Sequence, residues 1–337
     1  MNEQSNISVT DRNTSASQTK DKMYGALFGI VVGDALGVPF EFRSKQDMLK
    51  NPAAEMIGFG SHNQPMGTWS DDASLTLCLA DSLLGGYDLV DVSKKFIDWK
   101  EGILWTARGE VFDIGITTAK SISELKSIIE SDQISELHLL RDQAEEQDNG
   151  NGSLMRILPL LFEIKGLSPE EQFEKIWQIS ALTHKHIRAA MACFIYLKLA
   201  ELIFLGLAKE QAYTEMRNQI SKFWEDSNFP DSERIHFNST ILHDIRSKSY
   251  TELRSSGYVI DSLESSLWCF MEKDNYKDIV LAIINLGEDT DTGAAIAGGL
   301  AGLFYGIESI PTHWLLNLAR YDDINSLIEK MAQRYLA

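Results

Sequence analysis

Leu286-Gly287-Glu288-Asp289-Thr290-Asp291-Thr292-Gly293-Ala294-Ala295-Ile296-Ala297 places two aspartates and two threonines directly ahead of an apolar helical run. Within that run Ala294, Gly298 and Gly302 recur at spacing four, so they share one helix face. The same spacing appears near the start of the chain, in Gly25, Gly29, Gly33 and Gly37. A row of small residues lets two helix backbones approach closely. Glycine inside a helix costs about 1 kcal/mol relative to alanine, so tight packing must offset it. The two rows therefore predict two core helices in contact. Elsewhere apolar residues also recur at three and four: Leu75, Leu79 and Leu83; Ile195, Leu199 and Leu202; Leu300, Leu303 and Phe304. The alternation of half-buried strands is almost absent. The reading is all-α, with one helical domain over 23–337 behind a polar, flexible tail over 1–22.

A second acidic pair lies in Gly67-Thr68-Trp69-Ser70-Asp71-Asp72-Ala73-Ser74-Leu75. Its plainer reading is a helix N-terminus, with Ser70 as cap and the aspartates at the positive end of the helix dipole. Asp289-Thr290-Asp291-Thr292 admits the same reading. Like charges this close repel, however, and a hard divalent cation offsets them while taking carboxylate and hydroxyl oxygens as ligands. Should the two segments meet, they form an oxygen-rich metal site. A calcium loop starting at Asp289 fails, because its twelfth position is Leu300 and not an acid. A phosphatase-type aspartate would follow a strand, whereas Asp278–Ile284 reads as helix.

The 337 residues are 44% hydrophobic, enough for a large core. A net charge of −18 argues against a general nucleic-acid binder and against binding to anionic membranes. It leaves open a basic protein partner, or a cation-assisted site for an anionic ligand. Cys78, Cys193 and Cys269 are odd in number, far apart and set in apolar stretches. They read as buried thiols in a reducing, cytoplasmic compartment. Residues 1–20 have no apolar segment of a secretory signal. Residues 23–40 are the one stretch open to confusion with a membrane span. Asp34 and four glycines interrupt it, and a buried helix is the better reading.

Several shorter pieces carry chemistry. Gly150-Asn151-Gly152-Ser153-Leu154-Met155-Arg156 frees the backbone to point N–H groups at an anion. Arg156 is open to two readings, a phosphate contact or a structural ion pair. His184 and His186 lie at i and i+2, so on a helix they point apart and do not share a metal. Glu41 follows Pro39, which should stop the glycine-rich helix. Asp113, in Val111-Phe112-Asp113-Ile114-Gly115, is an acid among apolar neighbours, and such a group is rarely buried without a partner. The segments 141–150 and 225–239 read as surface excursions.

In this order, the pieces resemble the ADP-ribosylglycohydrolase family, which includes dinitrogenase reductase-activating glycohydrolases and ADP-ribosylarginine and ADP-ribosylserine hydrolases. The resemblance rests on Gly33-Asp34-Ala35-Leu36-Gly37 with Glu41, Trp69-Ser70-Asp71-Asp72, Phe112-Asp113-Ile114-Gly115, Gly150-Asn151-Gly152-Ser153 with Met155-Arg156, Thr183-His184, and Gly287-Glu288-Asp289-Thr290-Asp291-Thr292. It implies a compact orthogonal multi-helix domain holding two Mg²⁺ ions, or Mn²⁺. By position, the ligands it implies are Ser70, Asp71, Asp72, Asp289, Asp291 and Thr292. Serine stands where the family often has threonine, and keeps the hydroxyl. The implied catalytic acids are Asp113 and Glu41. The implied substrate-binding residues are Gly115, Asn151, Gly152, Ser153, Arg156 and His184. The implied reaction is hydrolysis of the bond between ADP-ribose and a protein side chain, arginine foremost. Some members serve as immunity partners of ADP-ribosyltransferase toxins, and residues 1–22 are the candidate arm for plugging one. The alternatives are an inactive structural or toxin-plugging relative, and a hydrolase of small ADP-ribose conjugates.

Overall fold

Gly25, Gly29 and Gly33 meet Gly302, Gly298 and Ala294 so closely that no side chain fits between them. In the structure, a computed structural model that describes residues 9–336, a Cβ built on Gly29 would lie 2.3 Å from the carbonyl oxygen of Gly298. One built on Gly25 would lie 2.1 Å from that of Gly302. The two rows thus belong to one antiparallel pair, the helices Val9–Gly37 and Thr290–Tyr305. The pairing brings the end of the first helix beside the start of the second. There Gly37 abuts the Asp291 backbone, and the Thr290 hydroxyl donates to the Gly37 carbonyl at 2.8 Å. That bond satisfies one of the orphan carbonyls at a helix end. Tyr276 and Tyr196 donate their hydroxyls to Gly29 O (2.8 Å) and Ile296 O (2.9 Å), so both buried phenols are paired.

Asp34 fastens a third element to this pair. Its fully buried carboxylate accepts the backbone N–H groups of Ser70 (2.9 Å) and Ala73 (2.8 Å). These are free donors at the N-terminus of helix Asp71–Leu83. Asp34 caps that helix from across the core, while the Ser70 hydroxyl caps it locally by accepting from Asp72 N. The first helix therefore docks both acidic segments, one through glycine contacts and one through a carboxylate.

The described residues form eleven helices of nine residues or more, and no strand. The fold is all-α, as its periodicity predicts. Tyr321–Tyr335 lies along the first helix, where Phe28 stacks on Tyr321 at 5.1 Å. Phe173, Phe194 and Phe223 pack the helices Pro169–Ala181, Ile187–Phe204 and Lys209–Asp226 together. The three cysteines are free and buried. By length and composition Ser17–Phe40 qualifies as a membrane span, but 94% of its apolar 18-residue window is buried inside the protein.

The first helix differs from its sequence reading at its start. It begins at Val9, not near residue 23. Residues of the supposed tail are held: Lys22 Nζ donates to Ile203 O (2.8 Å) at the end of another helix, and Asp21 accepts from Ile307 N (3.2 Å). A lysine that satisfies terminal carbonyls of a neighbouring helix anchors a polar segment which has no apolar period of its own. The rest of the expected tail, 1–8, lies outside the described residues. At its other end the helix stops as Pro39 requires, passing into one tight turn, Val38–Phe40, ahead of Glu41.

Candidate functional site

The two acidic segments meet. Carboxylate oxygens of Asp34, Asp72 and Asp291 lie within 4.8 Å of one another, and so do those of Glu41, Asp289 and Asp291. Asp291 belongs to both groups and joins them. Three of the contributing residues (Asp34, Asp72 and Asp291) are at most 1% exposed. Asp72 Oδ2 accepts the Ser70 hydroxyl at 3.0 Å, and Asp291 Oδ1 accepts Thr292 N at 3.0 Å. Asp72 Oδ1 and Asp291 Oδ2 are buried with no hydrogen-bond partner among the described residues.

Burial first, and then repulsion between neighbouring carboxylates, drives Asp71, Asp72 and Asp291 well above the ordinary carboxylate range. Burial likewise lifts Asp34 to about 7, against the two backbone N–H groups that pull it down. Asp289, Glu41 and Asp113 are raised by burial as well. Buried acids without counter-charge are costly. A donor set made wholly of carboxylate and hydroxyl oxygens, two of them orphaned, fits a hard divalent cation such as Mg²⁺ or Mn²⁺.

The acids open onto a cavity of about 470 Å³. Glu41, Asp71, Asp113, Asp289, Asp291 and Thr292 line it. So do Gly115–Thr118, at the start of helix Ile116–Glu130, and Gly150–Gly152 with His184. A helix start and a glycine loop both present N–H groups suited to an anion. Asn151 ties the loop to the acids: its Nδ2 donates to Asp289 Oδ2 (2.7 Å) and Ser262 Oγ (2.8 Å). Gly152 has no room for a side chain, because a Cβ there would lie 2.5 Å from His184 Cε1. The Asp289 segment is in turn paired with the Glu41 segment, Phe42 N donating to Glu288 O (2.8 Å) and Glu288 N to Arg43 O (2.6 Å).

Three sequence readings need correction. Arg156 does not reach the cavity. It is fully buried, donates to the carbonyls of Gly152 and Ile179, and rests on Phe96 at 5.0 Å. It pairs with no acid among the described residues, so neither proposed role describes it; it holds the loop from behind. Ser153 also turns inward, accepting the Ser180 hydroxyl at 2.9 Å. His184 and His186 are not on one helix: both lie in the link between Ala181 and Ile187, where His186 caps the following helix by accepting Arg188 N (3.1 Å). His184 bonds Thr183 Oγ1 at 2.9 Å, and burial, aided by the nearby Arg156, lowers it to about 3. It therefore faces the cavity as a neutral ring. Gly115 lines the cavity as the residue before a helix, with its N–H 3.5 Å from Asp71 Oδ2.

Sequence reading singled out neither Asp34 nor His62 as a site residue. Asp34 carried a signal, a lone charge within the apolar run that holds the glycine row. His62 carried none; it sits in an aperiodic turn and bonds the Glu41 carboxylate through Nε2.

With this geometry in hand, likeness to known proteins is informative. A sequence model for the family described as ADP-ribosylglycohydrolase matches residues 15–337. The chain is 29% identical over 320 residues to the ADP-ribosylarginine hydrolase Tri1 of Serratia proteamaculans, covering 94% of this chain and 80% of the relative. It is 27% identical to the ADP-ribosyl-[dinitrogen reductase] glycohydrolase of Rhodospirillum rubrum, covering 88% and 90%. A solved structure titled ADP-ribosylglycohydrolase-related protein complex superposes with a TM-score of 0.74 at 25% identity, covering 94% of this chain and 99% of its own.

Proposed function

The chain belongs to the ADP-ribosylglycohydrolase family, and we propose that it is a Mg²⁺-dependent hydrolase of the glycosidic bond joining ADP-ribose to a protein side chain, arginine foremost. The observation that carries this reading is the meeting of the two acidic segments around the orphaned oxygens of Asp72 and Asp291, beside a cavity that a helix start and a glycine loop also line. Arginine is favoured because relatives that match most of this chain are named ADP-ribosylarginine hydrolases. A cationic guanidinium leaving group also suits an acid-lined cavity.

Ser70, Asp71, Asp72, Asp289, Asp291 and Thr292 would hold two ions, with Asp34 behind them. Bound there, Mg²⁺ or Mn²⁺ supplies positive charge that acidifies water and orients hydroxyl groups. The chain's own residues do the rest. Gly150–Gly152 and the start of helix Ile116–Glu130 receive the diphosphate, and neutral His184 supports that loop without adding charge. Glu41 and Asp113 are the proton donors of this reading; burial raises both above their ordinary values and so favours the protonated form. As the glycosidic bond breaks, its electron pair passes to the guanidine nitrogen, which takes that proton. Carboxylates lining the cavity favour the positive charge that develops at the anomeric carbon. Water oxygen bonds that carbon, and the water's spare proton restores the acid.

The test is release of ADP-ribose from arginine- and serine-linked ADP-ribosyl proteins, with and without Mg²⁺. Release from arginine only with Mg²⁺, abolished in a folded Asp289→Ala/Asp291→Ala variant, supports the reading. No release from either substrate, and no heat on adding ADP-ribose, favours an inactive binding protein of the same fold. Release only from small conjugates favours the small-molecule reading.

An immunity role in the cytoplasm belongs to the same proposal. It is supported by the charge of −18 and the polar N-terminus. Binding of an ADP-ribosyltransferase toxin that survives removal of residues 1–8 would discard those residues as a plug.

A further inference from the structure

Glu41 and Asp113 come from distant segments and share one neighbour, His62. One side-chain donor or acceptor atom from each of Glu41, His62 and Asp113 lies within 4.8 Å of the other two. The His62 ring packs between Phe42, with centroids 5.6 Å apart, and Phe112, at 5.3 Å and edge-on. Those aromatic residues are the sequence neighbours of the two acids. His62 thus wedges together the segments that carry Glu41 and Asp113.

The turn that delivers His62 is shaped for that place. Gly60 has φ +66° and packs on the Pro39 backbone, where a Cβ would lie 2.1 Å from Pro39 O. Ser61 Oγ donates to the Glu41 carbonyl at 2.5 Å. Asn63, in the left-handed region at φ 53°, turns the chain away again. Residues 60–62 are therefore fixed to residues 39–41 by backbone packing and by hydrogen bonds from Ser61 and His62. The Glu41 carboxylate has no other side-chain hydrogen-bond partner among the described residues. Its remaining near neighbours are the acids Asp113, Asp289 and Asp291. Without His62, its carboxyl group would be left among acids with no side-chain hydrogen-bond partner.

We propose that His62 is a positioning residue which holds Glu41 and Asp113 in one fixed arrangement at the cavity wall. This deepens the hydrolase reading and rests on it. Two measurements on the metal-loaded full chain test it. In crystal structures, His62→Ala should show the Glu41 carboxylate displaced from its place beside Asp291. In turnover of an arginine-linked substrate, His62→Ala should lower kcat about 10- to 100-fold, with KM, melting temperature and Mn²⁺ stoichiometry unchanged. Free imidazole should restore part of the rate, and His62→Gln, which keeps a donor, should retain more of it. The proposal is overturned by an unmoved Glu41, by an unchanged kcat, or by a loss that follows melting and that imidazole does not rescue. If the parent chain itself releases no ADP-ribose, the hydrolase reading fails, while the two crystal structures still decide whether His62 holds Glu41.

Discussion

At the scale of single residues, the informative atoms are Asp72 Oδ1 and Asp291 Oδ2, buried acid oxygens with nothing to accept from. Such atoms burden the metal-free fold. Asp291→Asn removes one charge from the cluster, so the metal-free variant should be more stable than the metal-free parent by roughly 1 kcal/mol or more. It should also gain less from added Mn²⁺; differential scanning calorimetry with and without metal reads both. The same cluster fixes a pH dependence. A carboxyl raised in the folded chain binds its proton more tightly there than in the unfolded chain. Its contribution is full below the unfolded value, about 3.9, and is lost as pH rises through the folded value, about 7 for Asp34. Metal-free protein should therefore melt lower at pH 8 than at pH 5, and Mn²⁺ should raise the melting temperature more at pH 8. At this scale the sequence showed which acids are paired with hydroxyls, because neighbours along the chain are legible. It did not show direction. Arg156 sits at the right spacing from the glycine loop yet faces away from the cavity, and His62 reaches Glu41 only through a turn that carries no period.

At the scale of elements, the helices Val9–Gly37 and Thr290–Tyr305 set the register of the site. Their glycine rows were legible because a spacing of four is a local property with one structural meaning. What the rows could not show is that Asp34, on the same helix, caps Asp71–Leu83 at a distance, since that pairing crosses the core. Nor did composition reveal the true start of the first helix, which Lys22 and Asp21 anchor through contacts far away in sequence. Gly29→Ala should force the pair apart at a backbone contact where no flexible side chain can yield. The expected cost is about 3 kcal/mol, read by urea unfolding of the metal-free chain, with weaker Mn²⁺ binding because Asp291 shifts from Asp72. Gly85→Ala, which meets only Ser82 O at 3.4 Å, should stay within about 0.5 kcal/mol of the parent. Equal effects at the two positions would remove the helix contact as the organiser of the site.

At the scale of the whole molecule, a chain of net charge −18 turns a dense group of its acids inward. An anionic ligand can enter such a protein only where cations and backbone N–H groups outweigh that charge. Acids that would hold such cations, and a helix start and glycine loop whose N–H groups suit an anion, line one cavity, so binding of metal is the premise of every step proposed. The most direct measurement is calorimetric titration of the chelator-stripped chain with Mn²⁺, alongside Asp72→Ala and Asp291→Ala. The expected result is saturable binding of two ions per chain, with the stoichiometry reduced in either variant while the fold persists. Absence of saturable binding in the parent, or identical binding in both variants, would contradict it.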